Sequence, residues 1–169
     1  MGVFPICRSQ GYRARITALA AAASLAALLL SPLAAQADCG TSPGQVCQNT
    51  SLSGQNFSGN NLAGSIFINA DLSNANLSNA NLQGAIFQGT KLSGATLTGA
   101  NLQGASFDSG TSLNGVNASN SQAQGAIIAG DLTNSNWSGA NMGGAILTGA
   151  TLTNVTFSGA NETGCIGCS

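Results

Sequence analysis

The stretch Ala70-Asp71-Leu72-Ser73-Asn74-Ala75-Asn76-Leu77-Ser78-Asn79-Ala80-Asn81-Leu82-Gln83-Gly84 repeats itself every five residues. Each unit sets a small residue two places before a Leu, and Asn or Gly two places after it. A period of five suits neither an α-helix, at about 3.6 residues per turn, nor a plain strand, at about 2. Asn and Gly tolerate left-handed backbone angles at little cost, so a corner is predicted in every unit. A fixed short repeat predicts a solenoid.

The pattern extends in both directions. Its centres are Leu52, Phe57, Leu62, Phe67, Leu72, Leu77, Leu82, Phe87, Leu92, Leu97, Leu102 and Phe107. The spacing slips by one to Leu113, Ala118, Ala123 and Ile128, then back at Leu132, Trp137, Met142, Leu147, Leu152 and Phe157. All 22 centres are apolar, and the residue two places later is Gly or Asn in every unit except Ser109. Gly110 reads as a residue inserted at a corner, and Gly130 as one shared by two units.

These units resemble the pentapeptide-repeat family, whose motif is A-[DN]-L-x-x. The resemblance runs from residue 50 to about 164. It implies an all-β, right-handed, quadrilateral parallel β-helix with four units per coil. The sequence points to four sides independently. The residue before each centre turns apolar every fourth unit, at Ile66, Ile86, Ile127, Ile146 and, in the tail, Ile166; Ser106 interrupts the series. With 22 units the rod has 22/4 = 5.5 coils, about 26 Å at the usual strand spacing. Trp137 stacks over Ala118, with Ala123 on the next side, so small neighbours offset its volume.

Residues 1–37 stand outside the repeat. Arg8, Arg13 and Arg15 precede an apolar run from Ile16 to Leu30, then Ser31-Pro32 and Ala35-Gln36-Ala37. This order describes a secretory signal peptide cleaved after Ala37. The run is shorter than the roughly 20 apolar residues of a membrane-spanning helix, so no span is expected after cleavage. Residues 38–49 are expected to cap the first coil, and 165–169 form a Cys-containing tail. A bacterial protein, periplasmic or secreted, is the expectation.

Cleavage leaves Lys91 against Asp38, Asp71, Asp108, Asp131 and Glu162, a net charge of 1 − 5 = −4. One basic residue excludes a phosphate-binding surface for nucleic acid. Four cysteines remain: Cys39, Cys47, Cys165 and Cys168. An even number in an exported chain suggests disulfides. The rod keeps the two ends further apart than the ~7 Å limit between bridged α-carbons, so Cys39–Cys47 and Cys165–Cys168 are favoured. A redox CxxC would sit at a helix start, and a zinc site would need all four together.

On the surface, Ile66, Ile86, Ile127, Ile146 and Ile166, widened by Ile68 and Ala129, form an apolar stripe that reads as an interface for a second copy or an envelope protein, the alternative being that the capping segment or another part of this chain folds over it. Asn61, Asn81, Asn101, Gln122, Asn141 and Asn161 should stack as an amide ladder. Asp71, Lys91 and Asp131 share a side, but Asp71 and Asp131 lie three coils apart, about 14 Å, beyond the ~5–9.5 Å of catalytic carboxylate pairs in glycoside hydrolysis. No catalytic residue, metal ligand or cofactor is assigned, and a non-catalytic structural or interaction module is expected. Carbohydrate-acting β-helices are the alternative. The resemblance adds another, since some cytoplasmic members mimic DNA and protect DNA gyrase; four net charges and export argue against it. Thr96-x-Thr98 and Thr151-x-Thr153 lie on different sides, so no ice-binding ladder forms.

Overall fold

The computed structural model describes residue 39 and residues 42–168. The signal-peptide reading of residues 1–37 lies outside them. Five short strands, β1 (Val46–Gln48), β2 (Ile66–Ile68), β3 (Ile86–Gln88), β4 (Ser106–Phe107) and β5 (Ile127–Ile128), stack in sequence order into one parallel sheet. The other three sides are held by single parallel bridges, one per coil, such as Ser51↔Asp71, Asn56↔Asn76 and Asn61↔Asn81. The result is the four-sided, right-handed parallel β-helix expected from the repeat.

Its hydrogen bonding explains why so little regular strand suffices. On each side the N–H before the centre donates to the coil below and the centre N–H donates to the coil above: Asp71 N–H to the Thr50 carbonyl at 2.9 Å, Leu72 N–H to the Lys91 carbonyl at 2.7 Å. Each corner closes on itself, as when Ala75 N–H donates to Leu72 at 3.0 Å. The ladder thus satisfies the backbone groups that the core would otherwise bury unpaired.

Corner geometry couples one coil to the next. Asn74 is left-handed at φ 58°, and its Oδ1 lies 2.5 Å from where a Cβ would stand on Gly94, itself at φ 69°. Where an Asn corner is followed by glycine the oxygen fills the space a Cβ would need, whereas at Asn134 the next corner is Asn154, whose Nδ2 donates to Asn134 Oδ1 at 3.1 Å.

Both spacing slips are real. Along one side the bridges run Asp71↔Lys91, Lys91↔Ser112, Ser112↔Asp131 and Asp131↔Thr151, steps of 20, 21, 19 and 20 residues. The added residue sits at the corner Asp108–Thr111. There Asp108 Oδ1 accepts the Gly110 N–H at 3.1 Å and the Thr111 hydroxyl at 2.8 Å. The missing residue falls at Gly130, which is buried and not left-handed. A Cβ there would strike the Thr111 carbonyl, so Gly130 serves as the small inward residue of the unit centred on Leu132.

The interior is columns of centres. Phe67, Phe87 and Phe107 stack with ring centroids 5.0 and 4.5 Å apart and planes within 7° and 1°. Trp137 is fully buried, and its indole N–H donates to Ser135 Oγ at 2.9 Å. Toward the last coil the burial loosens: Leu152, Val155 and Phe157 are half-buried, and Glu162 stands where an apolar centre would be.

The coils begin earlier than the repeat from residue 50 implies. β1 pairs with β2 in register Val46↔Ile66, Cys47↔Phe67, Gln48↔Ile68, so residues 46–49 are the first rung and not a separate cap. Cys47 is its buried centre and Asn49 its left-handed corner, at φ 52°. A cysteine in place of Leu or Phe concealed the unit.

Candidate functional site

The sides differ in what they show to solvent. On the side that carries the strands, outward residues align through the registers Val46↔Ile66↔Ile86↔Ser106↔Ile127↔Ile146↔Ile166. All but Ser106 are apolar. Val46, Ile86, Ile127, Ile146 and Ile166 are 36–58 % exposed and make up the exposed large hydrophobics among the described residues. Ile66, Ile68 and Ala129 are half-buried beside them. The structure thus aligns every residue of the predicted stripe and adds Val46.

Such a column is unusual because the strand pattern hides apolar residues inward and leaves outward positions to polar ones. Behind it lies the Phe67–Phe87–Phe107 stack. Each end is fastened by a disulfide. Cys39 bonds Cys47, the residue after Val46, and Cys165–Cys168 brackets Ile166; the α-carbons are 5.8 and 5.9 Å apart. These are the two pairs that the sequence favours, and both lie at the terminal rungs of this one face.

Within the face, the Ser106 rung differs. The Ser106 hydroxyl makes no hydrogen bond among the described residues, whereas Asp108 turns away along its own corner, accepting Gly89 N–H at 3.0 Å as well as Gly110 and Thr111. Burial alone would raise the Asp108 pKa. The bonds from Gly89, Thr111 and Gly110 outweigh it and hold the carboxyl below its ordinary value. Sequence reasoning treated Asp108 only as a charge; its place beside the inserted Gly110 was the available signal.

The remaining sides are polar. The amide ladder exists where Asn follows Asn: Asn81 Nδ2 donates to Asn61 Oδ1, Asn101 to Asn81 and Asn161 to Asn141, each at 3.1 Å. Gln122 interrupts it. Each ladder oxygen also accepts a backbone N–H two residues on, as Asn81 does from Gln83 at 3.2 Å, so these amides are engaged in the fold. Asp71 and Asp131 each bond the hydroxyl residue two places later. Their pKa values are lowered mainly by Ser73 and Thr133 respectively, with Lys91 contributing least to Asp71. The bridges place them three rungs apart, so the two carboxylates do not converge.

The family model for pentapeptide repeats matches residues 46–74, 75–108 and 131–161, in 8 copies. No curated protein sequence matches significantly. Similar solved structures include a pentapeptide repeat protein from the cyanobacterium Cyanothece 51142, 25 % identical over 73 % of this chain and 88 % of that one, TM-score 0.38. A second comes from the Arabidopsis thaliana thylakoid lumen, 32 % identical over 60 % and 64 %, TM-score 0.33. A third is QnrB1, a plasmid-mediated fluoroquinolone resistance protein, 20 % identical over 72 % and 78 %, TM-score 0.42. Such scores carry no functional argument. The repeat matches, which span more than half of the sequence, together with the four-sided coil, place this chain in the pentapeptide-repeat family.

Proposed function

We propose that the chain is exported and, once residues 1–37 are removed, serves as a non-catalytic module of the bacterial cell envelope that binds protein through its apolar face. The single observation behind this is the exposed column from Val46 to Ile166, apolar on six of seven rungs. Contiguous exposed apolar surface favours an interface, and repeating it coil after coil costs solubility unless something covers it. The two disulfides support an oxidising compartment. They also hold the outermost rungs of that face in place, where a solenoid end would fray.

Photo-crosslinking in the producing cell tests this reading. A photoreactive residue is placed at Ile86, at Asn81 on the amide-ladder side, or at Lys91 on the charged side. A crosslinked species from position 86 alone supports the reading. Equal yields from all three positions, or none from position 86, sink it.

A further inference from the structure

The Ser106 rung holds an unused donor and an incompletely used acceptor side by side. On several other rungs, hydroxyl and carboxyl or amide groups two residues apart bond each other, as Thr133 Oγ1 does to Asp131 Oδ1 at 2.6 Å and Ser138 Oγ to Asn136 Oδ1 at 2.7 Å, while Ser58 and Ser119 turn their hydroxyls to the neighbouring coil. Ser106 and Asp108 do not bond each other. Oδ1 of Asp108 takes all the corner's bonds, leaving Oδ2 without a partner among the described residues. The one gap in the apolar column therefore shares its rung with the one charged side chain of the face.

We propose that the occupant of this face is a second copy of the chain, its rod parallel to the first and related by a two-fold axis along the rod, so that the Ser106 hydroxyl of each copy donates to the partner's Asp108. The inference rests on the reading of the face as a protein-binding surface. Residues two apart on a strand stand about 6.6 Å from each other. A two-fold axis running midway between these outward columns sets every residue of one column against the other column on the same rung of the partner. Ile66 then meets Ile68, Ile127 meets the small Ala129, Ser106 meets Asp108, and Val46 and Ile86 meet the aliphatic stems of Gln48 and Gln88. The contact is isologous and closes at two copies. An antiparallel arrangement in full overlap, with the axis crossing the rods at the Ser106 rung, opposes Asp108 to Asp108 at its centre, and like charges there disfavour it. The patch, about 29 Å long and three residues wide at the usual strand dimensions, is smaller than the ~800 Å² per partner of a standard interface. The dimer is accordingly weak, with a dissociation constant of about 10 μM to 1 mM.

Sedimentation equilibrium on the disulfide-bonded protein up to about 2 mM tests this, beside Ile86→Asn and Ser106→Ile. The wild type is expected to dimerise and Ile86→Asn to stay monomeric. Ser106→Ile should fold normally, because neighbouring rungs carry Ile at that position. It removes the donor and sets Ile against a carboxylate, so the dissociation constant should rise about tenfold or more. A Ser106→Ile dimer as tight as or tighter than the wild type overturns the reciprocal contact. A wild type that is monomeric throughout overturns the self-association. Crosslinking from position 86 then separates the two readings: a heterologous product leaves the binding face standing, and no product removes both.

Discussion

Trp137 lies directly over Ala118. The bridge Asn117↔Asn136 sets the two centres in register, and Ala118 N–H donates to the Asn136 carbonyl at 2.8 Å. Both are fully buried, so the larger centre occupies volume that its neighbour gives up. Enlarging one without reducing the other overpacks the layer. Ala118→Leu is expected to cost about 1–3 kcal/mol, and Trp137→Leu about 2–4 kcal/mol through the void and the loss of the bond to Ser135. The double variant should recover at least 1 kcal/mol relative to the sum. Additive losses in chemical denaturation would show that the two volumes are not coupled.

Asp108 holds the corner that accommodates the inserted residue. Asp108→Ala removes the acceptor for Gly89, Gly110 and Thr111, and a loss of about 1–3 kcal/mol is expected. Asp108→Asn keeps one acceptor oxygen and should cost less. The carboxyl is held below its ordinary value in the folded chain. Its stabilisation is therefore present above the unfolded pKa of about 3.9 and lost as pH falls through the folded one. Thermal melts should be level from about pH 7 to 5 and fall below about pH 4, with a shallower fall in Asp108→Asn. Asp71 and Asp131, also lowered, should keep part of the slope in that variant. A fall that is unchanged in Asp108→Asn would assign it wholly to the other carboxylates.

Corner glycines should fall into two classes. At Gly54 nothing lies within 4 Å of an added Cβ, while at Gly94 the Asn74 oxygen lies 2.5 Å away. Both are left-handed, at φ 67° and 69°, so the angle alone costs Gly→Ala about 1–2 kcal/mol at each. Gly94→Ala should cost measurably more, and Asn74→Gly in the same chain should return the difference. Equal losses at Gly54 and Gly94 in urea unfolding would show that the Asn side chain yields freely.

How much of this was legible depended on whether a residue obeyed the period. The centres, corners and small inward residues follow it, so the four-sided coil and the alignment of Ile66 with Ile86, Ile127, Ile146 and Ile166 could be read from spacing alone, while the coil count fell short by the unit centred on Cys47. Gly130 could be placed because the Ile series fell out of step without it. Val46 was missed because Cys47 interrupts the run of Leu and Phe centres. Asp108 was underread because its partners, Gly89 and Thr111, belong to adjacent units on successive coils, and a one-dimensional pattern does not show which side-chain oxygen reaches across. The hydroxyl of Ser106 has no partner among the described residues for a related reason: Asp108 turns its Oδ1 toward its own corner and the coil below.

The disulfides and the leader can be tested together. The proposed removal of residues 1–37 would leave a chain beginning Asp38-Cys39. With both disulfides formed, the intact mass should be about 4 Da below that of the reduced residues 38–169, since each bond removes two hydrogens. Opening Cys165–Cys168 frees the rung that carries Ile166, whereas opening Cys39–Cys47 frees the covalent hold on β1. The loops are short, 3 and 8 residues apart, and chain-entropy arguments give short loops the smaller effect. Replacing both cysteines of either pair by Ser is therefore expected to lower stability by about 1–3 kcal/mol without unfolding the central coils. Hydrogen exchange should show the loss at the end concerned, with Leu72 to Phe107 protected as before. Loss of protection throughout the rod on removing one pair would mean that the coils unfold as a single unit nucleated at that end.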